Sequence, residues 1–244
     1  MKPSLTPQTY LIKEKQQMTR IVCASDTHGS HWDVKVPDGD ILIHCGDISS
    51  RGGMPDTLDF LRWFNTHPHL HKIFVAGNHD WVWDTSPDIA KMLLRQFPDL
   101  IYLQDSGVTV CGLHIYGSPV QPRFYNWAFN RDRGEDIKRH WDMIPEATDV
   151  LITHGPPHGI CDEAYRPGFN ITEHTGCADL FDATLRIAPK LHLFGHIHYS
   201  GGQTYIGPKT TYANVSVLDE SYQVVRPPMI FDIDNDKTVS IMPN

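Results

Sequence analysis

Five short clusters of aspartate, histidine and asparagine punctuate the chain, each with side chains able to ligate a cation or move a proton. In order they are Asp26-Thr27-His28, Gly46-Asp47, Gly77-Asn78-His79-Asp80, Thr153-His154-Gly155 and Gly195-His196-Ile197-His198. Histidine is abundant, 15 in 244 residues, and imidazole is the commonest metal ligand near neutral pH. Glycine stands beside most clusters and lets the backbone turn tightly next to a ligand. One such pair alone reads as a satisfied loop; their order and company point to one shared centre. The hydroxyls of Ser25, Thr27 and Thr153 default to hydrogen bonding, because no Ser/His/Asp arrangement that would activate a nucleophile accompanies them.

The clusters must be carried by elements that bring them together. Apolar, β-branched runs at Arg20–Ala24, Asp40–Cys45, His71–Ala76, Leu113–Tyr116, Asp149–Thr153 and Leu191–Phe194 predict buried strands. Most of these runs end in a cluster, the place where loops of open α/β sheets build their sites. Helical spacing over Pro55–Asn65, Pro87–Phe97 and Cys177–Ile187 predicts amphipathic helices between strands. The tail from Gly202 reads as strands alone, at Gln203–Ile206, Thr210–Asn214, Met229–Ile233 and Val239–Met242. Alternating strands and helices followed by an all-strand tail predict an α/β fold with two stacked sheets.

The composition, 40% hydrophobic and 20% charged, is that of a globule. Residues 1–19 are polar and are expected to be loosely attached, with 20–244 forming one domain. Without a membrane-length apolar run or a signal-peptide pattern at the start, the expected location is cytoplasmic. The five cysteines form no CxxC pair and read as buried reduced thiols. A formal charge of −8 disfavours extended nucleic acid and leaves small phosphorylated molecules open.

The five clusters resemble the signature of the calcineurin-like metallophosphoesterases over about residues 20–233. The resemblance implies a four-layer αββα sandwich of two mixed β-sheets flanked by helices. It also implies that Asp26, His28, Asp47 and His198 hold one metal and Asp47, Asn78, His154 and His196 the other, with Asp47 bridging. His79 then faces the phosphate as acid to the leaving oxygen or as a stabiliser of charge. Two divalent ions outweigh the two carboxylates and leave a centre suited to an anionic phosphate. Such a pair can generate a hydroxide nucleophile near neutral pH and stabilise both ends of an in-line displacement.

Ser50 follows the bridging Asp47 by three positions, in Gly46-Asp47-Ile48-Ser49-Ser50-Arg51. The protein Ser/Thr phosphatases carry an Asp-Arg pair there and the purple acid phosphatases an iron-binding tyrosine, so neither branch fits. Gly117-Ser118-Pro119, Trp127-Ala128-Phe129-Asn130, Thr153-His154-Gly155-Pro156-Pro157 and Pro227-Pro228 with Phe231-Asp232 resemble the small MPPED-type subgroup. That implies hydrolysis of a small or cyclic nucleotide-like phosphodiester, with manganese as the preferred ion and iron, zinc, cobalt or nickel as alternatives. A phosphomonoesterase, a nuclease and a noncatalytic nucleotide-binding regulator are the competing readings.

Several neighbours of the clusters keep two readings. Asp80 either orients His79 or ties its loop. Trp81, Trp83, Phe124 and Trp127 are expected to pack loops rather than stack on a base, and Arg123, Arg131 and Arg133 to form solvated surface. The His67-Pro68-His69-Leu70-His71 run resembles a ligand set in composition only, because it is separated from any strand end that faces the motif loops.

Overall fold

The computed structural model describes residues 18–243, and the stretch expected to be loosely attached falls almost wholly outside them. Four parallel strands come first: β1 (Thr19–Ala24), β2 (Ile41–His44), β3 (His71–Phe74) and β4 (Leu100–Tyr102). The chain then enters a second sheet through the antiparallel pair β5 (Ser106–Val110) and β6 (Leu113–Ser118). A minor pair, β7 (Gln121–Pro122) and β8 (Asn130–Arg131), precedes β9 (Val150–Thr153), which pairs with β6 in parallel. Strands β10 (Glu163–Arg166) and β11 (Ile171–His174) form a separate antiparallel hairpin. Then β12 (Leu191–Phe194), β13 (Thr204–Ile206) and β14 (Thr211–Asn214) complete the second sheet in the order β13-β14-β12-β9-β6-β5. The tail returns as β15 (Met229–Ile233) and β16 (Val239–Met242), giving the first sheet the order β16-β15-β1-β2-β3-β4.

The period-2 alternation of a strand explains why both sheets are buried on both faces. Ile21, Cys23, Ile41, Ile43 and Ile73 point between the sheets and meet Ile115, Val150, Ile152, Leu191 and Leu193. Their neighbours Val22, Ala24, Leu42 and Phe74 point outward, onto Phe60, Leu61 and Phe64 of α1 (Met54–Thr66) and Trp83 of α2 (Trp81–Thr85). Ala90 and Leu93 of α3 (Pro87–Leu94) join that cluster. On the far side, Tyr116 and Leu151 pack on Ile137 and Trp141 of α4 (Glu135–Asp142) and on Leu180, Ala183 and Ile187 of α5 (Ala178–Ile187). The result is the expected αββα stack.

The short elements α2, β4, β5, β7 and β8 were not expected from the sequence, and helix α4 and the β10–β11 hairpin escaped it for want of a buried periodicity. Helix α4 buries only Ile137 and Trp141, one helical turn apart, too few to set up a period. The β10–β11 hairpin has no buried residue in either strand, so it carries no alternation. Cys23, Cys45 and Cys177 are the buried thiols expected, whereas Cys111, in the turn between β5 and β6, is exposed and Cys161 is half-buried.

Candidate metal centre

Strands β1, β2 and β3 of one sheet and β9 and β12 of the other deliver their C-terminal loops to one edge of the sandwich. Backbone bonds sew these loops together. The Asp26 N–H donates to the Gly46 carbonyl at 3.0 Å and the His28 N–H to that of Asp47 at 3.0 Å, while Gly195 donates to His154 at 2.8 Å. The two sheets are joined through the site itself. The His196 N–H donates to both oxygens of Asp26, at 3.0 and 2.9 Å, and His154 Nδ1 donates to the Cys45 carbonyl at 3.0 Å.

Asp26, His28, Asp47 and His196 have φ values of 57°, 43°, 53° and 69°. Left-handed backbone at non-glycine residues is uncommon, and its clustering in four candidate ligands marks a functional site. The adjoining glycines are required by close approach. A Cβ on Gly77 would stand 2.3 Å from Asp47 Oδ1, and one on Gly195 would stand 2.1 Å from Asp26 Oδ2.

All seven predicted ligands meet here. Asp47 Oδ2 lies 3.5 Å from His28 Nε2 and 3.4 Å from His154 Nε2, midway between two groups of donors. On one side, His28 Nε2 and His198 Nε2 converge to 3.3 Å, with Asp26 Oδ1 3.8 Å from His198 Nε2. On the other, Asn78 Oδ1 is 2.9 Å from His154 Nε2, and the rings of His154 and His196 are 4.9 Å apart. Three compact groups of donor atoms result: Asp26, His28 and His198; Asp47, His154 and His196; and His28, Asp47 and His79.

The donor chemistry fits divalent cations. Burial holds His28 down at about 4 and His196 at about 3, so both imidazoles are neutral with lone pairs to offer. His198 Nδ1 donates to the Asp219 carbonyl at 2.9 Å, and the His154 Nδ1 bond likewise leaves Nε2 as the inward atom. Burial also opposes charge on His154, but the Asp47 carboxylate outweighs it and raises His154 to about 9. Asp47 is correspondingly held well below the usual carboxylate range, against its own burial. A bare carboxylate thus holds a proton on an imidazole where a bound cation would take over the charge.

His79 stands at the mouth. Its backbone N–H donates to Asp47 Oδ1 at 2.8 Å, and its Nδ1 donates to the Ser50 carbonyl at 2.9 Å, which leaves Nε2 free. A main-chain carbonyl thus orients the His79 ring. Asp80 takes the second of its two readings. It is fully buried and accepts from the N–H groups of Ile48, Ser49 and Gly77 and from Ser49 Oγ, tying the loop after β2 to the loop after β3. Burial, with Asp47 nearby, raises it to about 6. Thr27, Ser25 and Thr153 hydroxyls are engaged with His44, Gly46 and Gly155, as expected.

The aromatic and basic neighbours divide between the core and the cleft wall. Trp83 is core and Trp81 packs against it, but Trp127 stacks on His79 at 4.2 Å, and Phe124 and Trp127 line a cleft of about 490 Å³ that opens from the centre. Arg123 and Arg133 are exposed, as expected of solvated surface, and both also line the cleft. Tyr222 and the β10–β11 hairpin, which no sequence signal pointed to, form further walls, with Tyr222 4.9 Å from the His28 ring. Arg51 is exposed and is not part of the cleft wall. The His67–His71 run sits at the N-terminal end of β3, opposite the motif loops, where the carbonyls of His67 and His69 accept from Lys72 Nζ at 3.2 Å each.

Comparison with known proteins agrees with this geometry. Residues 19–200 match the family model of the calcineurin-like phosphoesterases. The chain is 40% identical over 236 residues to metallophosphoesterase domain-containing protein 1 of Homo sapiens, covering 88% of this chain and 71% of that protein. It is 36% identical to UPF0046 protein K07C11.7 of Caenorhabditis elegans, covering 91% and 77%. Among solved structures, TT1561 of Thermus thermophilus superposes with a TM-score of 0.60 at 13% identity, covering 93% of this chain and 99% of that one. The phosphopantetheinyl hydrolase of Mycobacterium tuberculosis does so with a TM-score of 0.56 at 16% identity, covering 83% and 90%. Among the described residues no helix is long and apolar enough to cross a membrane.

Proposed function

The chain belongs to the calcineurin-like phosphoesterase family, and on that premise we propose that it is a dinuclear-metal phosphodiesterase acting on a small or cyclic nucleotide-like diester. The observation that carries this reading is the convergence of two carboxylates, four imidazoles and an amide oxygen at one point, with the buried His28 and His196 rings neutral. Asp26, His28, Asp47 and His198 would hold one cation and Asp47, Asn78, His154 and His196 the other. When bound, such a pair supplies Lewis acidity and an activated water at neutral pH.

The protein's own groups do the rest. His79, held through Nδ1 by the Ser50 carbonyl and stacked on Trp127, presents Nε2 to the leaving oxygen, to which its imidazolium form would give the Nε2 proton and so become neutral. Asp80 sets the distance between the Asp47 and Asn78 loops. Phe124, Trp127 and Tyr222 line the cleft and offer faces on which a base or other flat group can lie. The cleft leaves room for substituents on both ester oxygens, which favours a diester over a monoester.

The deciding experiment restores Mn²⁺ to chelator-stripped protein. It compares bis-p-nitrophenyl phosphate with p-nitrophenyl phosphate, and 2′,3′-cyclic with 3′,5′-cyclic nucleotides, with His79→Ala as control. Faster diester cleavage that is lost in the variant supports the reading. Faster monoester cleavage makes the protein a phosphomonoesterase.

A further inference from the structure

The cleft continues beyond the metal centre to a wall that the hydrolysis itself does not use. There Asp162 is fully buried, and its carboxylate is saturated. Oδ2 accepts from the N–H groups of Gly159 and Gly176 at 2.9 Å each, and Oδ1 accepts from His174 Nδ1 at 2.6 Å. Its carbonyl accepts from the Thr175 N–H at 3.1 Å and from Thr175 Oγ1 at 3.2 Å. The turn is also close-packed, because a Cβ on Gly176 would stand 2.5 Å from the Pro157 carbonyl oxygen. A buried carboxylate is costly unless paired, and here it is paired with two exposed histidines, hydrogen-bonded to His174 and with His158 Nδ1 3.7 Å from Oδ2.

Upon that turn sits a second cation. Arg133 donates through Nη1 to the Gly176 carbonyl and through Nη2 to the Thr175 carbonyl, at 2.8 Å each. Its remaining N–H groups are free of those bonds, and among the described residues no carboxylate pairs with it within salt-bridge distance. By contrast, the nearby Arg123 is paired with Asp132 and Arg166 with Glu173. Arg133 and His174 thus line the cleft together, the guanidinium pinned by backbone and the imidazole Nε2 directed away from Asp162. Hydrogen bonding to Asp162 favours the protonated ring of His174.

We propose that Arg133 and His174 form an anion subsite for a second phosphate of the substrate, so that the preferred substrate is a phosphodiester carrying an additional phosphate monoester. Planar guanidinium and imidazolium donors on a fixed platform match phosphate oxygens. The cleft, about 490 Å³, is large enough for one ligand to span both ends. The hairpin that carries His174 is latched to the metal loops, with Ser200 Oγ donating to the Glu163 carbonyl at 3.0 Å and Tyr165 stacked on Tyr199 at 5.8 Å. Binding at the subsite therefore fixes the substrate relative to the metal centre.

This inference rests on the phosphodiesterase reading, and its test separates the two. Steady-state rates are measured on the Mn²⁺-loaded protein with adenosine 2′,3′-cyclic phosphate and with the same compound bearing a 5′-phosphate. The 5′-phosphate should lower KM by at least about tenfold, the contribution of one charge-assisted hydrogen bond, with kcat little changed. Arg133→Gln and His174→Gln should each erase most of that gap and leave the KM of the unphosphorylated compound as it was, which a merely structural role would not do. Equal KM values in the wild type, or an undiminished gap in both variants, overturn the subsite. If neither compound is hydrolysed, the phosphodiesterase reading fails. Calorimetry with adenosine 3′,5′-bisphosphate against adenosine 3′-phosphate then decides the subsite by the same tenfold criterion.

Discussion

Replacing Gly195 by alanine is the sharpest way to ask whether the geometry of Asp26 matters. The new Cβ would stand 2.1 Å from Asp26 Oδ2 and 2.2 Å from Ser25 Oγ. An ordinary contact needs about 3.5 Å, so the two side chains must withdraw by more than about 1 Å. The Asp26 carboxylate is held by the His196 N–H at 2.9 and 3.0 Å, and Ser25 Oγ donates to the Gly46 carbonyl at 3.3 Å. Such a withdrawal carries these bonds past the useful limit of about 3.5 Å. We expect a stability loss of about 1–3 kcal/mol from overpacking. Metal affinity should fall on the order of 10–100-fold, and diester turnover on the order of 100-fold for a misplacement of about 1 Å. Gly155→Ala is the matched control, because its Cβ would meet His196 Cδ2 at 3.8 Å and Gln121 Cβ at 3.9 Å, both ordinary contacts. That variant should be unchanged or more stable by about 0.4–1 kcal/mol. Urea unfolding, metal content after dialysis against Mn²⁺ and diester rates read all three effects. The reasoning is refuted if Gly195→Ala keeps both metals and wild-type rates, or if Gly155→Ala suffers equally.

Other consequences are measurable by the same means. His79→Ala should retain metal and lose about 100- to 10,000-fold in kcat; loss of metal instead would make His79 a ligand. Asp80→Ala leaves three buried N–H groups without their acceptor, at about 1–3 kcal/mol each, so urea unfolding should show a loss of at least about 3 kcal/mol, and a loss below about 1 kcal/mol would deny its role as a tie. In the metal-free protein His154 is raised from its ordinary 6.5 to about 9. The stability of its pair with Asp47 is therefore full below pH 6.5 and lost as pH rises through about 9. Metal uptake at neutral pH should accordingly expel a proton, detectable by calorimetry in buffers of different ionisation enthalpy; a heat independent of buffer would contradict it. Saturating Mn²⁺ should raise the melting temperature, since free ion at 100 times Kd contributes about 2.7 kcal/mol, and an unmoved melting curve would argue against a site of that affinity.

The parts legible in the sequence are those with a local cause. A buried strand must be an apolar run, and a ligand delivered by that strand must follow its end within a few residues, so the five clusters were legible in the chain, and the family resemblance singled out Asp26, His28, Asp47, Asn78, His154, His196 and His198 among them. Packing between two sheets and under helices needs only alternation, which is why the layers were predictable from Ile21, Ile41, Ile73, Val150 and Leu191.

What tertiary structure alone decided has no local cause. The Ser50 carbonyl that orients His79 is a main-chain atom, for which residue type carries no signal. Asp80 could be assigned only once its hydrogen bonds spanned two loops, reaching Ile48 and Ser49, 32 and 31 positions earlier in the chain. Trp127 became part of the site through a stacking contact with a residue 48 positions earlier, and Arg133 through carbonyls more than 40 positions later. The cleft wall around Asp162 and His174 is held by polar contacts in a hairpin with no buried face. Such contacts depend on the approach of distant segments and leave no periodicity in the chain, so the sequence specified the candidate metal ligands while the fold decided what surrounds them.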